Sequence, residues 1–79
     1  MQIKILYFAQ LADLSGKPEE QVELTDPSLE ALYQSIQAKY HFPHTFTQLQ
    51  IAVNHQLSSH QKPLKDGDEI AFLPPMTSG

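Results

Sequence analysis

A chain of 79 residues and 8.9 kDa has room for one small domain. At 41% hydrophobic and 18% charged it is ordinary for a globular fold and too apolar for a disordered one, and the absence of cysteine excludes a disulfide framework, a thiolate zinc site, an iron–sulfur cluster and a cysteine nucleophile. The net charge of −4, with five scattered lysines and no arginine, argues against nucleic acid as a partner and suits a basic protein surface instead.

The opening segment Gln2 to Phe8 is rich in β-branched and aromatic residues and predicts a strand. Period two puts Ile3, Ile5 and Tyr7 on one face and Lys4, Leu6 and Phe8 on the other, so both faces carry apolar residues. Ala9 to Gly16 reads as a connection ending in the turn residues Ser15-Gly16-Lys17-Pro18. Gln21 to Leu24 alternates, with Val22 and Leu24 inward, and closes a hairpin with a long loop. The longest apolar run near the start, Ile5 to Ala9, is shorter than a signal-peptide core, and no stretch approaches the roughly 20 apolar residues that span a bilayer. A cytoplasmic protein without membrane contact is expected.

Thr25-Asp26-Pro27-Ser28 announces a helix, capped either by Asp26 with Pro27 in the first helical position or by Ser28 directly. Leu29, Leu32, Tyr33, Ile36 and Tyr40 form one apolar stripe at helical spacing, and Phe42-Pro43 is the expected stop. His44 to Gln50 reads as loop. Ile51-Ala52-Val53 predicts a short strand, with Asn54-His55 turning into Gln56-Leu57-Ser58. Gly67 supplies the positive φ of a tight turn, and Glu69 to Leu73 is a last strand with Ile70 and Phe72 inward and Ala71 and Leu73 outward. Pro74-Pro75 stops that strand.

This order predicts an α+β fold of the ubiquitin-like β-grasp type: a mixed four- to five-stranded sheet with one main helix on one face. Leu6, Phe8 and Leu73 then point to the uncovered face, with Leu57 near its edge. Large apolar residues clustered on an open sheet face indicate a partner surface, unless the segment 42–50 folds over them; the partner is the favoured reading.

The body of the domain shows no reactive constellation. The four histidines match no metal-ligand spacing, so no metal site is expected, and the run Asp66-Gly67-Asp68-Glu69 lacks the spaced oxygens of a calcium loop. No serine or threonine has a base at a recognisable spacing, and no glycine-rich phosphate cradle exists. What remains is the segment after the last strand. Pro-Pro stiffens its exit, and a glycine carboxylate has no side chain beside it and can enter a narrow channel. The expected organisation is a β-grasp domain over residues 1–75 and a functional tail over 76–79.

The run from Asp66 to Gly79 resembles the C-terminus of the small, sulfur-carrying subunits of molybdopterin synthase. So do the opening Ile5 to Leu14, the helix entry Ser28-Leu29-Glu30-Ala31-Leu32 and the strand end Ala52-Val53-Asn54. In that family an activating enzyme uses ATP to adenylate the terminal glycine carboxylate, and sulfur from a separate donor then replaces the adenylate. The resulting thiocarboxylate gives its sulfur to cyclic pyranopterin monophosphate, in a pocket of the large subunit. The resemblance therefore implies Gly79 as the reactive residue, Pro74, Pro75, Met76, Thr77 and Ser78 as the tail that delivers it, and Phe8, Leu57 and Leu73 as contacts with the large subunit. It implies no cofactor bound to this chain. At about 3.3 Å per extended residue, Pro74 to Gly79 could reach roughly 20 Å into a partner.

One departure stands out. The family usually ends in Gly-Gly, whereas Ser78 precedes Gly79 here and adds a Cβ and a hydroxyl to the width of the tail. Two other readings stay open: a thiamine-pathway sulfur carrier, which would share the fold but typically lacks the Phe-x-Pro-Pro exit, and a β-grasp interaction module with an inert tail.

Overall fold

The computed structural model describes residues 1–75; the tail residues Met76, Thr77, Ser78 and Gly79 lie outside the described residues. The elements are β1 (Gln2–Tyr7), α1 (Ala9–Ser15), β2 (Glu19–Glu23), α2 (Leu29–Tyr40), a 3₁₀ turn (Phe46–Gln48), β3 (Gln50–Val53), β4 (Gln56–Ser58) and β5 (Glu69–Leu73). The five strands form one mixed sheet in the order β2-β1-β5-β3-β4. β1 and β5 run parallel at its centre and the other pairs are antiparallel. The structure bears out the expected β-grasp arrangement, with α2 as the one main helix.

Ser28 proves to be the cap of α2: its hydroxyl accepts the Ala31 N–H at 3.2 Å. Asp26 serves one step earlier, accepting the Ser28 N–H at 2.9 Å. Leu29, Leu32, Tyr33 and Ile36 are buried, as their spacing predicts. The helix stops at Tyr40, because His41 turns left-handed (φ 60°) and its N–H closes on Gln37, so the break precedes Phe42-Pro43. The Tyr33 ring sits 5.3 Å from that of Phe72, and this contact seats α2 on the inner face of the sheet.

Two expectations are corrected. Ala9 to Gly16 is not a bare connection but contains α1, which buries Leu11 completely and ends at Gly16 in the left-handed conformation. A seven-residue helix with no side-chain cap is too short to hold itself together, so α1 depends on the seating of Leu11 in the core. The segment 42–50 does not cover the open face, in line with the favoured reading. Phe42 and Leu49 are buried on the helix side, with Phe42 stacked on Tyr33 and Tyr40 and edge-on to Tyr7. Nor is His44 to Gln50 all loop: it holds the 3₁₀ turn, whose capping box pairs Thr45 with Gln48, and Gln50 opens β3.

The acidic run is structural. Gly67 takes φ +86° and donates its N–H to the Gln2 carbonyl at 2.8 Å. Asp68 is buried, but its carboxylate accepts from the Asn54 amide at 3.0 Å and from the Lys65 N–H at 2.9 Å. Asn54 also accepts the Glu69 N–H at 3.0 Å, so the β3–β4 turn, with Asn54 and His55 at φ 52° and 70°, is tied to the start of β5.

Candidate functional site: the open face of the sheet

The strand register turns a list of outward residues into a surface. Leu6 on β1 pairs with Ala71 on β5, Ala71 with Ala52 on β3, and Ala52 with Leu57 on β4. One row across four strands therefore reads Leu-Ala-Ala-Leu, high at its ends and low in the middle. Ala71 is only 7% exposed between its larger neighbours, whereas Leu57 at the edge is 71% exposed. Leu73, paired with Gln50, stands on the same face one step nearer the exit of the chain, where Pro74 and Pro75 border a shallow hollow with Gln48 and Gln50. Phe8 follows β1 in extended geometry (φ −125°, ψ 153°), which continues the alternation and keeps its ring on this face, 45% exposed.

At the end of the face away from Pro74 the row is charged. Lys4 pairs with Glu69 across the parallel ladder and bridges Glu19 at 3.0 Å, and His55 lies 3.2 Å from the Glu69 carboxylate. The Lys4–Glu19 pair is exposed on both sides, so it shapes the field at the rim and contributes little to stability. The face is therefore an apolar trough, charged at one end and opening at the other onto the route the chain takes out of the sheet. Nothing among the described residues covers it.

The structure thus places Leu6, Phe8, Leu57 and Leu73 together on one surface, as the sequence predicts. It adds Ala52 and joins it to Ala71, which the sequence already turns outward, as a floor that only register could assemble. Leu14 on α1, 43% exposed, is a further exposed apolar side chain that the sequence reading missed. Pro74 and Pro75 leave β5 at the end of the trough, and Met76, Thr77, Ser78 and Gly79 lie outside the described residues.

The opposite face holds a polar cluster that the sequence did not announce. Glu20 occupies an inward position of β2, opposite Ile5, and its carboxylate accepts the hydroxyls of Tyr7 (2.8 Å) and Tyr40 (2.7 Å) and the Lys39 ammonium (3.0 Å). Lys17 stands 3.5 Å away. Burial alone would raise the pKa of Glu20; the hydrogen bonds from Tyr40, Lys39 and Tyr7 outweigh it and hold the carboxyl down at about 2. Burial pushes the Tyr7 phenol well above its ordinary value, with the Glu20 contact reinforcing it, and burial takes Tyr33 up to about 12. Tyr7 and Tyr33 are hydrogen-bond donors, to Glu20 and to the His44 carbonyl, not groups poised to ionise near neutrality, and the Tyr40 bond to Glu20 fastens α2 to β2.

Among the described residues no group of three or more His, Asp or Glu is arranged to hold a metal ion, and no helix is long and apolar enough to cross a membrane. The histidines are dispersed: His41 ends α2, His55 sits in a turn, and the His60 ring contacts the Leu49 carbonyl at 2.8 Å and Phe46 edge-on. The His44 carbonyl accepts from Tyr33 and Gln37, while its ring Nδ1 is buried without a partner among the described residues.

Fold and surface together define a ubiquitin-like β-grasp domain that leaves one apolar sheet face open beside the exit of its last strand. The chain belongs to the ThiS family, whose profile matches residues 5–79. It is 41% identical over 80 residues to the molybdopterin synthase sulfur carrier subunit of Escherichia coli K12, covering 98% of this chain and 99% of that protein. A protein–protein complex of subunits 1 and 2 of the molybdopterin-converting factor from Helicobacter pylori contains a chain of the same fold, with a TM-score of 0.69, 28% identity and full coverage of both chains. The crystal structure of SAMP1 from Haloferax volcanii superposes with a TM-score of 0.81 over the whole of both chains at 18% identity, a likeness of fold.

Proposed function

We propose that this chain is the sulfur-carrier subunit of a molybdopterin synthase and that the Gly79 carboxylate is the group that carries the sulfur. The observation that carries the proposal is the apolar trough of Leu6, Ala71, Ala52 and Leu57, continued by Leu73 into Pro74-Pro75: a docking face and a tail exit on the same side of one sheet. The full-length relationship to the E. coli carrier subunit and the two-subunit assembly of the H. pylori protein support it.

The chemistry follows from the weakness of a carboxylate as an electrophile. A partner activating enzyme joins the Gly79 carboxylate to the α-phosphate of ATP and releases pyrophosphate, which makes AMP the leaving group. Hydrosulfide-level sulfur from the donor attacks the acyl carbon, the acyl C–O bond to AMP breaks, and a thiocarboxylate remains. Its sulfur is anionic and soft, and it bonds to a side-chain carbon of cyclic pyranopterin monophosphate in the large subunit as an oxygen substituent leaves that carbon. Hydrolysis of the joined species returns the Gly79 carboxylate and leaves sulfur on the pterin; a second round completes the dithiolene. This chain supplies the docking face and the tail, and the large subunit supplies the pocket.

Intact-mass spectrometry after incubation with ATP, activating enzyme and sulfur donor tests the proposal. The full chain should gain the mass of an oxygen-to-sulfur exchange, and the Gly79 deletion should not, because misplacing a reacting carbon costs on the order of 100-fold in rate. Ser78→Gly should charge at least as well as the natural chain, since it narrows the tail and frees its φ. Equal sulfur uptake by the Gly79 deletion would remove Gly79 as the reactive group and favour a β-grasp module with an inert tail.

A further inference from the structure

We infer that the left-handed backbone of Ala9 is a positioning device that presents Phe8 on the open face, an inference that rests on the docking role proposed above. Ala9, His41, Asn54 and His55 are the non-glycine residues with positive φ among the described residues. Three of them have local reasons: His41 ends α2, and Asn54 and His55 form the two-residue turn between β3 and β4. Ala9, at φ 51°, opens the tight turn in which the Phe8 carbonyl accepts the Leu11 N–H, a position that glycine, asparagine or aspartate usually fills. Alanine lacks the short polar side chain that lets asparagine or aspartate tolerate this conformation, so the surrounding structure must impose it.

The imposition comes from both neighbours. Phe8 is extended, its carbonyl accepts the Leu11 N–H at 3.0 Å, and alternation with the buried Tyr7 turns its half-exposed side chain to the open face. Leu11, three residues on, is completely buried in the core. One corner must therefore send Phe8 outward and Leu11 inward within a single turn of chain, and Ala9 is that corner. Were Ala9 to relax to negative φ, one of the two side chains would have to move. The fully buried Leu11 is held by the core, whereas Phe8 is nearly half exposed, so Phe8 is the one that yields. The strain at Ala9 is thus tied to the placement of the most exposed aromatic ring among the described residues.

The test compares Ala9→Asn, Ala9→Gly and Ala9→Val, measuring thermal midpoint and calorimetric affinity for the large subunit. Asparagine and glycine accept a left-handed backbone and valine resists it, while asparagine and valine are similar in bulk. Ala9→Gly should melt at or above the natural chain, and Ala9→Asn should bind within about twofold of it. Ala9→Val should lose about fivefold or more in affinity, the cost of holding a β-branched residue left-handed. In a Phe8→Ala background the same valine change should cost no further affinity, which a purely structural role would not produce. Equal binding by the valine and asparagine variants, an undiminished valine effect without Phe8, or a lower melting point for Ala9→Gly would each overturn the inference. Broadening of the Phe8 ring resonances by a soluble nitroxide gives a readout independent of the partner: it should match the natural chain in Ala9→Asn and differ in Ala9→Val. If the natural chain does not bind the large subunit, the docking role falls, and the nitroxide comparison still decides whether Ala9 places Phe8.

Discussion

The two faces of this sheet are built from alternate residues of the same strands and carry side chains of opposite size at their centres. The inner face carries Ile3, Ile5, Tyr7, Ile51, Val53, Ile70 and Phe72, all large and all buried under α2 and the segment around Phe42 and Leu49. The outer face carries leucines at its flanks and alanines at its centre, with nothing over them among the described residues. A face that folds the protein needs volume, because cores are close-packed and every missing methylene is felt. A face that receives a partner needs shape, and small residues in the middle of an apolar row provide a depression. The difference between large and small side chains at the centre of one sheet is what would separate stability from the recognition role proposed for the outer face.

The largest effect should come from the inner face. Leu32→Ala removes a fully buried side chain and should cost about 2–5 kcal/mol, comparable to the whole stability of so small a domain. Denaturant unfolding checks this, and the fraction that remains folded should bind the large subunit normally. The outer face should respond the opposite way. Phe8→Asp should unfold close to the natural chain yet lose about 2 kcal/mol or more of binding in a calorimetric titration, because an anchor becomes a desolvated charge. Loss of the fold instead would place Phe8 in the core and erase the distinction between the faces.

Acid should weaken the inner face. The Glu20 carboxyl sits at about 2 in the folded chain against an ordinary 4.5, so its stabilisation is complete above pH 4.5, fades as pH falls toward 2 and is gone below. With the rim of the cluster open to solvent, the loss should be about 2 kcal/mol. Glu20→Gln should be less stable than the natural chain at neutral pH by a similar amount and converge with it near pH 2, as read from unfolding across that range. The smallest effect tests the trough itself. Ala71→Leu should change stability by less than about 0.5 kcal/mol, as a substitution facing outward, and weaken large-subunit binding by about 1 kcal/mol by raising the floor. Unchanged binding would mean that the partner rests on the leucine flanks and leaves the depression unfilled.

Most of the fold could be read from local pattern. The helix stripe Leu29-Leu32-Tyr33-Ile36, the alternation through β1 and β5, the Asn54-His55 turn and the Gly67 turn all announce themselves within a few residues. What could not be read has a common cause. α1 has one buried residue and no side-chain cap, so its seven residues carry no helical period to detect. Glu20 looks like one more surface acid in Glu19-Glu20-Gln21 until Tyr7, Tyr40 and Lys39 are brought around it from 13, 20 and 19 residues away. Of the site, Leu6, Phe8 and Leu73 were legible from alternation, with Leu57 near the edge; the Ala52–Ala71 floor and the Ala9 corner were not.

The sequence by itself determined which residues face together within each strand, that the main helix starts from either Asp26-Pro27 or Ser28, which turns are tight and which family the C-terminal run resembles. These are matters of a period of two or 3.6 and of the φ a residue tolerates, all properties of a few neighbouring residues. Only the tertiary structure decided which strands lie side by side, that the segment 42–49 packs beneath the sheet and leaves its outer face bare, and that Leu6, Ala71, Ala52 and Leu57 form one row. A strand's alternation fixes its face but carries no information about its neighbour or its register. Those are set by long-range packing, and the parallel pairing of β1 with β5 joins the two ends of the described chain.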